Sequence, residues 1–162
     1  MKKLFAFTAL LLTAALPSAF AQSSSSVGTW KYDAAQSDFG SQPKPTSMTL
    51  YITKDTPQML AWHLTETDSN GKTVHESWKG PQDGSMQVLK RTGGNGQASF
   101  ESNNGEFTIH QKTSNGMTAD STVTKSDGGN TMTEHVTGTD NGQQISQTIV
   151  WHRTMHAKHK KM

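Results

Sequence analysis

Two carboxylates sit where the surrounding pattern calls for apolar side chains. Glu76 lies in Val74-His75-Glu76-Ser77-Trp78 and Glu134 in Met132-Thr133-Glu134-His135-Val136, each on the same alternate positions as the apolar residues. Ser121, between Ala119 and Val123, and Gln147, between Ile145 and Ile149, fall in the same way. Alternate residues of a strand share a face, so all four polar side chains point with the apolar set. A carboxylate taken out of water must find a partner, a water or a ligand. The pattern therefore suits a cavity mouth, where Glu76, Ser121, Glu134 and Gln147 orient the polar end of a small apolar or amphipathic molecule. Trp62 and Trp78 would wall the apolar part. The competing reading is a filled core with these residues at a wet end, in an envelope protein that acts through interactions and binds no ligand.

Other chemistry finds less support. Paired carboxylates hydrolyse glycosides when their separation is fixed, and nothing here fixes it. The chain has no Gly-x-Ser-x-Gly, no His-Glu-x-x-His and no phosphate-binding glycine loop. Zero Cys excludes thiol chemistry and disulfides. Asp68-Ser69-Asn70-Gly71 lacks the further acids of a calcium loop and reads as a turn. Seven His invite a metal, and His63 would face His75 on the outer surface if Leu60 pairs with Trp78. A stable site wants a third ligand, so these read as solvated histidines. The expectation is a non-enzyme with no metal and no cofactor.

Charge and export narrow the class further. Lys2 and Lys3 precede an apolar run, Leu4 to Leu16, which is followed by Pro17 and Ala19-Phe20-Ala21. This is the layout of a secretory signal peptide over residues 1–21, and the run is too short to span a bilayer. The chain has 15 Lys and Arg against 13 Asp and Glu, so loss of Lys2 and Lys3 leaves 13 of each. A neutral exported protein, periplasmic or secreted, has no electrostatic footprint for nucleic acid and no stable membrane insertion after cleavage. Residues 22–26 read as a Ser-rich linker, and residues 154–162 as a basic His/Lys tail with a solubilising role.

The elements that must position the polar set are strands. Short alternating runs rich in Thr, Val, Ile, Met and Trp are separated by turn clusters such as Ser69-Asn70-Gly71, Asp127-Gly128-Gly129 and Asp140-Asn141-Gly142. Ten strands are predicted, over 27–33, 46–54, 58–67, 72–79, 85–91, 97–102, 105–112, 117–125, 130–138 and 143–153. The fold class is all-β, an antiparallel up-and-down meander of about 8–10 strands closed into a barrel or folded as a β-clam over residues 27–153. The inward sets include Met86 and Val88 on the fifth strand. Pairing Val123 with Met132 puts Ser121 opposite Glu134. Closing the last hairpin at Asp140-Asn141 pairs Val136 with Ile145 and puts Glu134 opposite Gln147, so that the three form one row. Glu76 falls opposite Trp62.

Val27-Gly28-Thr29-Trp30 opens the first strand. A Gly-x-Trp there, followed by a meander, resembles the lipocalin-like branch of the calycin superfamily. The likeness extends to small exported bacterial proteins through Ser37-Asp38-Phe39, Pro43-Lys44-Pro45, Thr131-Met132-Thr133 and Gly138-Thr139-Asp140. It covers nearly all of residues 27–153. The resemblance implies a barrel whose end is closed by Trp30 with Arg153 laid against it, and it implies architecture rather than an activity. The Thr-Asp-Tyr motif of the lipocalins proper is missing, and residues 154–162 leave no room for their C-terminal helix.

Overall fold

The structure, a computed structural model, describes residues 25–103, 105–126 and 128–154. The segment expected to be a signal peptide, most of the expected linker and the tail beyond Thr154 lie outside the described residues. Ten strands follow the sequence reading closely. They are β1 (Gly28–Tyr32), β2 (Ser47–Thr56), β3 (Met59–Thr67), β4 (Thr73–Gly80), β5 (Gln87–Arg91), β6 (Gly96–Asn103), β7 (Glu106–Thr113), β8 (Thr118–Lys125), β9 (Thr131–Asp140) and β10 (Gln143–Arg153). Each pairs antiparallel with its neighbours in sequence, and β1 pairs with β10 to close the barrel. Closure removes the exposed edges that a ten-stranded open sheet would present.

Alternation sets the interior. Trp30, Met48, Leu60, Leu89, Phe100, Val123, Met132, Ile149 and Trp151 are buried inside. Most predicted inward sets are observed; β5 is the exception. Met86 and Val88 are 50% and 56% exposed, whereas Leu89 is fully buried. The chain enters β5 through an irregular segment, bridged by Asp83 to Glu101, and periodicity cannot carry strand parity across such a connection.

Three predicted registers are each displaced by two residues, which preserves the face and changes the partner. Val123 pairs with Glu134 and Ser121 with Val136. Glu134 pairs with Ile149 and Gln147 with Val136. Trp62 pairs with Trp78, Leu60 with Gly80, and Glu76 with Leu64. The expected Ser121–Glu134–Gln147 row therefore does not form. Ser121, Val136 and Gln147 share one row; Val123, Glu134 and Ile149 share the next. His63 faces Ser77 and His75 faces Thr65, so the two imidazoles do not oppose each other.

Turn chemistry accounts for the displacement. Between β9 and β10 the two-residue turn is Asn141-Gly142, with φ of 49° and 79°, rather than Asp140-Asn141. A type I′ turn needs positive φ at both central positions, which Asn-Gly supplies. Between β3 and β4, one Asp68 carboxylate oxygen accepts the Asn70 and Lys72 backbone N–H groups at 2.8 and 2.9 Å. This segment is the turn expected of it.

One end of the barrel is sealed. Trp30 is fully buried, and its Nε1 donates to the Ser26 carbonyl at 2.8 Å. The Arg153 guanidinium carbon lies 4.6 Å from the Trp30 ring centre. Asp55 accepts the Ser26 backbone N–H at 2.6 Å and Gln82 Nε2 at 3.1 Å. Ser26, read from sequence as linker, is thus part of the closed end. At the other end the segment between β1 and β2 folds across the opening. The Ser37 hydroxyl accepts the Val150 N–H at 2.9 Å, and Asp38 exchanges two backbone bonds with Thr148.

Candidate functional site

The lumen lies between the sealed end and the β1–β2 segment. Its inner part is a cavity of about 140 Å³. Leu50, Leu64, Phe107, Ile109, Val123 and Met132 supply apolar walls; Glu76, Gln111 and Glu134 are its polar members besides the indoles. Trp62 and Trp151 also line it. A second cavity of about 270 Å³ forms the mouth, bounded by Phe39, Gln42 and Pro43 and by Glu66, Arg91, Ser121 and Gln147. Leu64, Glu76, Gln111, Glu134 and Trp151 line both parts. These five residues mark the junction of an apolar inner chamber with a polar mouth.

The strands explain the division. Inward residues nearest the sealed end are aromatic and aliphatic, and Trp78 fills that end outright. Its Nε1 reaches past the short β5 to the Ala98 carbonyl of β6 at 3.0 Å, and its ring packs 4.3 Å from Phe100. Gly80 permits this, because a Cβ there would lie 2.8 Å from the Trp78 ring. Trp78 is therefore a packing residue and lines neither part of the lumen. Of the other residues singled out from sequence, Trp62, Glu76 and Glu134 meet in the inner cavity, while Ser121 and Gln147 stand in the mouth. Trp30 and Arg153 meet at the sealed end.

The carboxyls have distinct surroundings. Glu76, with a side chain 9% exposed, takes the Arg91 guanidinium at 2.9 Å. Burial pushes its pKa up, Arg91 opposes this, and the nearby Glu66 and Glu134 add to the rise. Burial likewise raises Glu66, again against Arg91. Burial also raises Glu134, opposed only by hydrogen bonds from the Ser121 and Trp151 side chains. Because Glu134 lines both parts of the lumen, its residual accessibility opens inward.

Sequence reasoning missed Glu66 and Arg91. Both precede turns at the mouth rim, where alternation between apolar neighbours is broken. Trp62 carries a further feature: its Nε1 is buried and has no hydrogen-bond partner among the described residues. Indole N–H groups buried in proteins usually find an acceptor. Among the described residues no three His, Asp or Glu side chains are grouped to hold a metal.

These features define a closed, ten-stranded antiparallel β-barrel with an accessible lumen. The Rv2717c crystal structure from M. tuberculosis superposes with a TM-score of 0.53 at 14% identity, covering 80% of this chain and 92% of that one. A de novo designed fluorescence-activating β-barrel aligns with a TM-score of 0.44 at 14% identity, covering 79% and 93%. At 14% identity the likeness to Rv2717c concerns the fold alone. No protein-family model matches the chain, and no curated protein matches it in sequence.

Proposed function

We propose that this protein is an exported, lipocalin-like carrier, without catalytic activity, that binds a small amphipathic molecule in its lumen. The observation that carries the reading is the inner cavity, an apolar chamber bordered by inward polar groups. A filled core requires neither Glu134 nor an unpartnered Trp62 N–H. Ligand sites share this composition, an apolar lining with a few fixed polar groups. Trp62 would give a hydrogen bond to an oxygen of the ligand, and Glu76, Glu134 and Gln147 would orient its polar end. Export is supported by the Lys2-Lys3 start, the apolar run and Ala19-Phe20-Ala21. The destination is the periplasm or the medium.

Native mass spectrometry of protein purified from its own host tests this. The expected result is a chain beginning at Gln22 with a co-purifying molecule of a few hundred daltons. A ligand-free chain that also fails to bind medium-chain amphiphiles in solution overturns the reading.

A further inference from the structure

The lumen holds more acid than base. Glu66 on β3, Glu76 on β4 and Glu134 on β9 face it, and Asp140 stands at its rim. Arg91 on β5 is the one cationic side chain among the described residues that line it. That guanidinium is engaged by Glu76 at 2.9 Å and lies close enough to Glu66 to favour its ionised form. Among the described residues Glu134 has no such partner. It receives two neutral donors, the Ser121 hydroxyl and the Trp151 indole, and its opposite neighbours are Val123 and Ile149.

A buried carboxyl with neutral donors and no cation has two stable conditions. It keeps its proton, or something positive enters beside it. Glu134 sits where a ligand can supply that charge, because it borders both the mouth and the inner cavity. A head group held there directs the rest of the molecule inward, among Leu50, Phe107, Ile109 and Met132. The surrounding rings of Trp62, Trp151 and Phe100 are also favourable to a cation, through the negative faces of their π systems. An anionic head group would meet three carboxyls, and the cation that could receive it is already paired.

Resting on the carrier reading above, we propose that the lumen selects protonated amphipathic amines, the ammonium held by the Glu134 carboxylate and the apolar chain lodged in the inner cavity. Binding then ionises Glu134 and releases its proton to solvent, so affinity for the amine falls as the medium is acidified.

The test compares three ten-carbon probes, n-decylamine, n-decanol and decanoate, titrated below their aggregation limits against tryptophan fluorescence at pH 7. Decylamine is expected to bind about tenfold or more tightly than either of the others, the scale of one charge-assisted hydrogen bond. Glu134→Gln is expected to bring decylamine down to the affinity the same variant shows for decanol, since the charge that singles out the amine is gone. Should that variant fail to fold, the wild-type protein decides: the ratio of amine to alcohol affinity must fall between pH 7 and pH 5. Equal binding of the three probes, a preference for decanoate, or an amine preference that survives Glu134→Gln overturns the proposal and leaves the carrier reading standing. Failure of all three probes to bind overturns both.

Discussion

The Arg153 guanidinium carbon stands 4.6 Å above the Trp30 ring, and its Nη2 donates to the Ser25 carbonyl at 2.6 Å. One side chain thus joins the last strand to the first and to the segment that precedes it. The cation–π contact contributes roughly 0.5–2 kcal/mol, and the hydrogen bond about 1 kcal/mol more. Arg153→Met keeps the stem over the indole and removes both. The expected loss is about 1–3 kcal/mol, read as a fall in urea midpoint with an unchanged m-value. Arg153→Lys restores only a fraction, because an ammonium cannot lie flat on the ring while reaching the carbonyl. A midpoint unchanged in Arg153→Met would show that the contact closes nothing.

The interior acids set the pH dependence of stability. Glu66, Glu76 and Glu134 are all held above the ordinary carboxyl range, chiefly by burial. Below about pH 4 both folded and unfolded states carry these protons, and the groups contribute nothing. As pH rises, the unfolded chain releases them first, so stability falls until the folded carboxyls also ionise. Asp83 acts in the opposite direction: hydrogen bonds from the Ser85 hydroxyl and backbone lower it, so its contribution is lost as pH falls through the acid range. Thermal melts are expected to peak in mildly acidic solution and to decline toward pH 7. Glu134→Gln flattens the decline and raises Tm at pH 7. A Tm that climbs steadily from pH 5 to pH 7 would contradict this assignment.

Phe39 covers the mouth. Its ring meets Tyr32 edge-on at 5.8 Å and 89°, and it lines the outer cavity beside Gln42 and Pro43. The segment is fixed to β10 by Ser37 and Asp38 rather than by Phe39 itself. Phe39→Ala should therefore open the lumen without freeing the segment. Acrylamide quenching of tryptophan fluorescence reads this directly, because Trp151 lines the mouth. The expected change is a rise in the quenching constant, abolished again in Phe39→Leu. Equal quenching in wild type and Phe39→Ala would place the entrance elsewhere.

Alternation in the sequence was enough to place Glu76, Ser121, Glu134 and Gln147 on the inner face, because a two-residue slip in register leaves the face unchanged. It was not enough to say which of them meet. That depends on where each hairpin closes, and Asn141-Gly142 moves Gln147 away from Glu134 and opposite Val136. The Trp30–Arg153 pair was legible through the family resemblance, and the contact is observed at 4.6 Å. Arg91 was not legible. Its role depends on β5 meeting β4 through only Glu76–Arg91 and Ser77–Lys90, and the parity of β5 is set by an irregular connection that no periodicity describes. Trp78 looked like a wall of the site for the opposite reason. Its face was right, yet its indole extends behind β5 to Ala98, a path visible only once β5 is seen to be short.

That short seam leads to a prediction about Glu76 and Arg91. Of the two residue pairs joining β4 to β5, one is the pair whose side chains also form the ion pair inside the barrel. Removing one partner leaves an unpaired charge at the junction of the mouth with the apolar chamber, whereas removing both leaves only shape to replace. Arg91→Met should therefore cost about 3–5 kcal/mol at pH 7, and less at pH 5, where Glu76 more readily takes a proton. Glu76→Gln with Arg91→Met should recover most of that loss, since the glutamine carries no charge to strand. Hydrogen exchange at the β4–β5 seam should follow the same order, fastest in Arg91→Met and near wild type in the double variant. If the single and double variants lose equal stability at both pH values, the ion pair is incidental, and backbone pairing alone holds β5 in the wall.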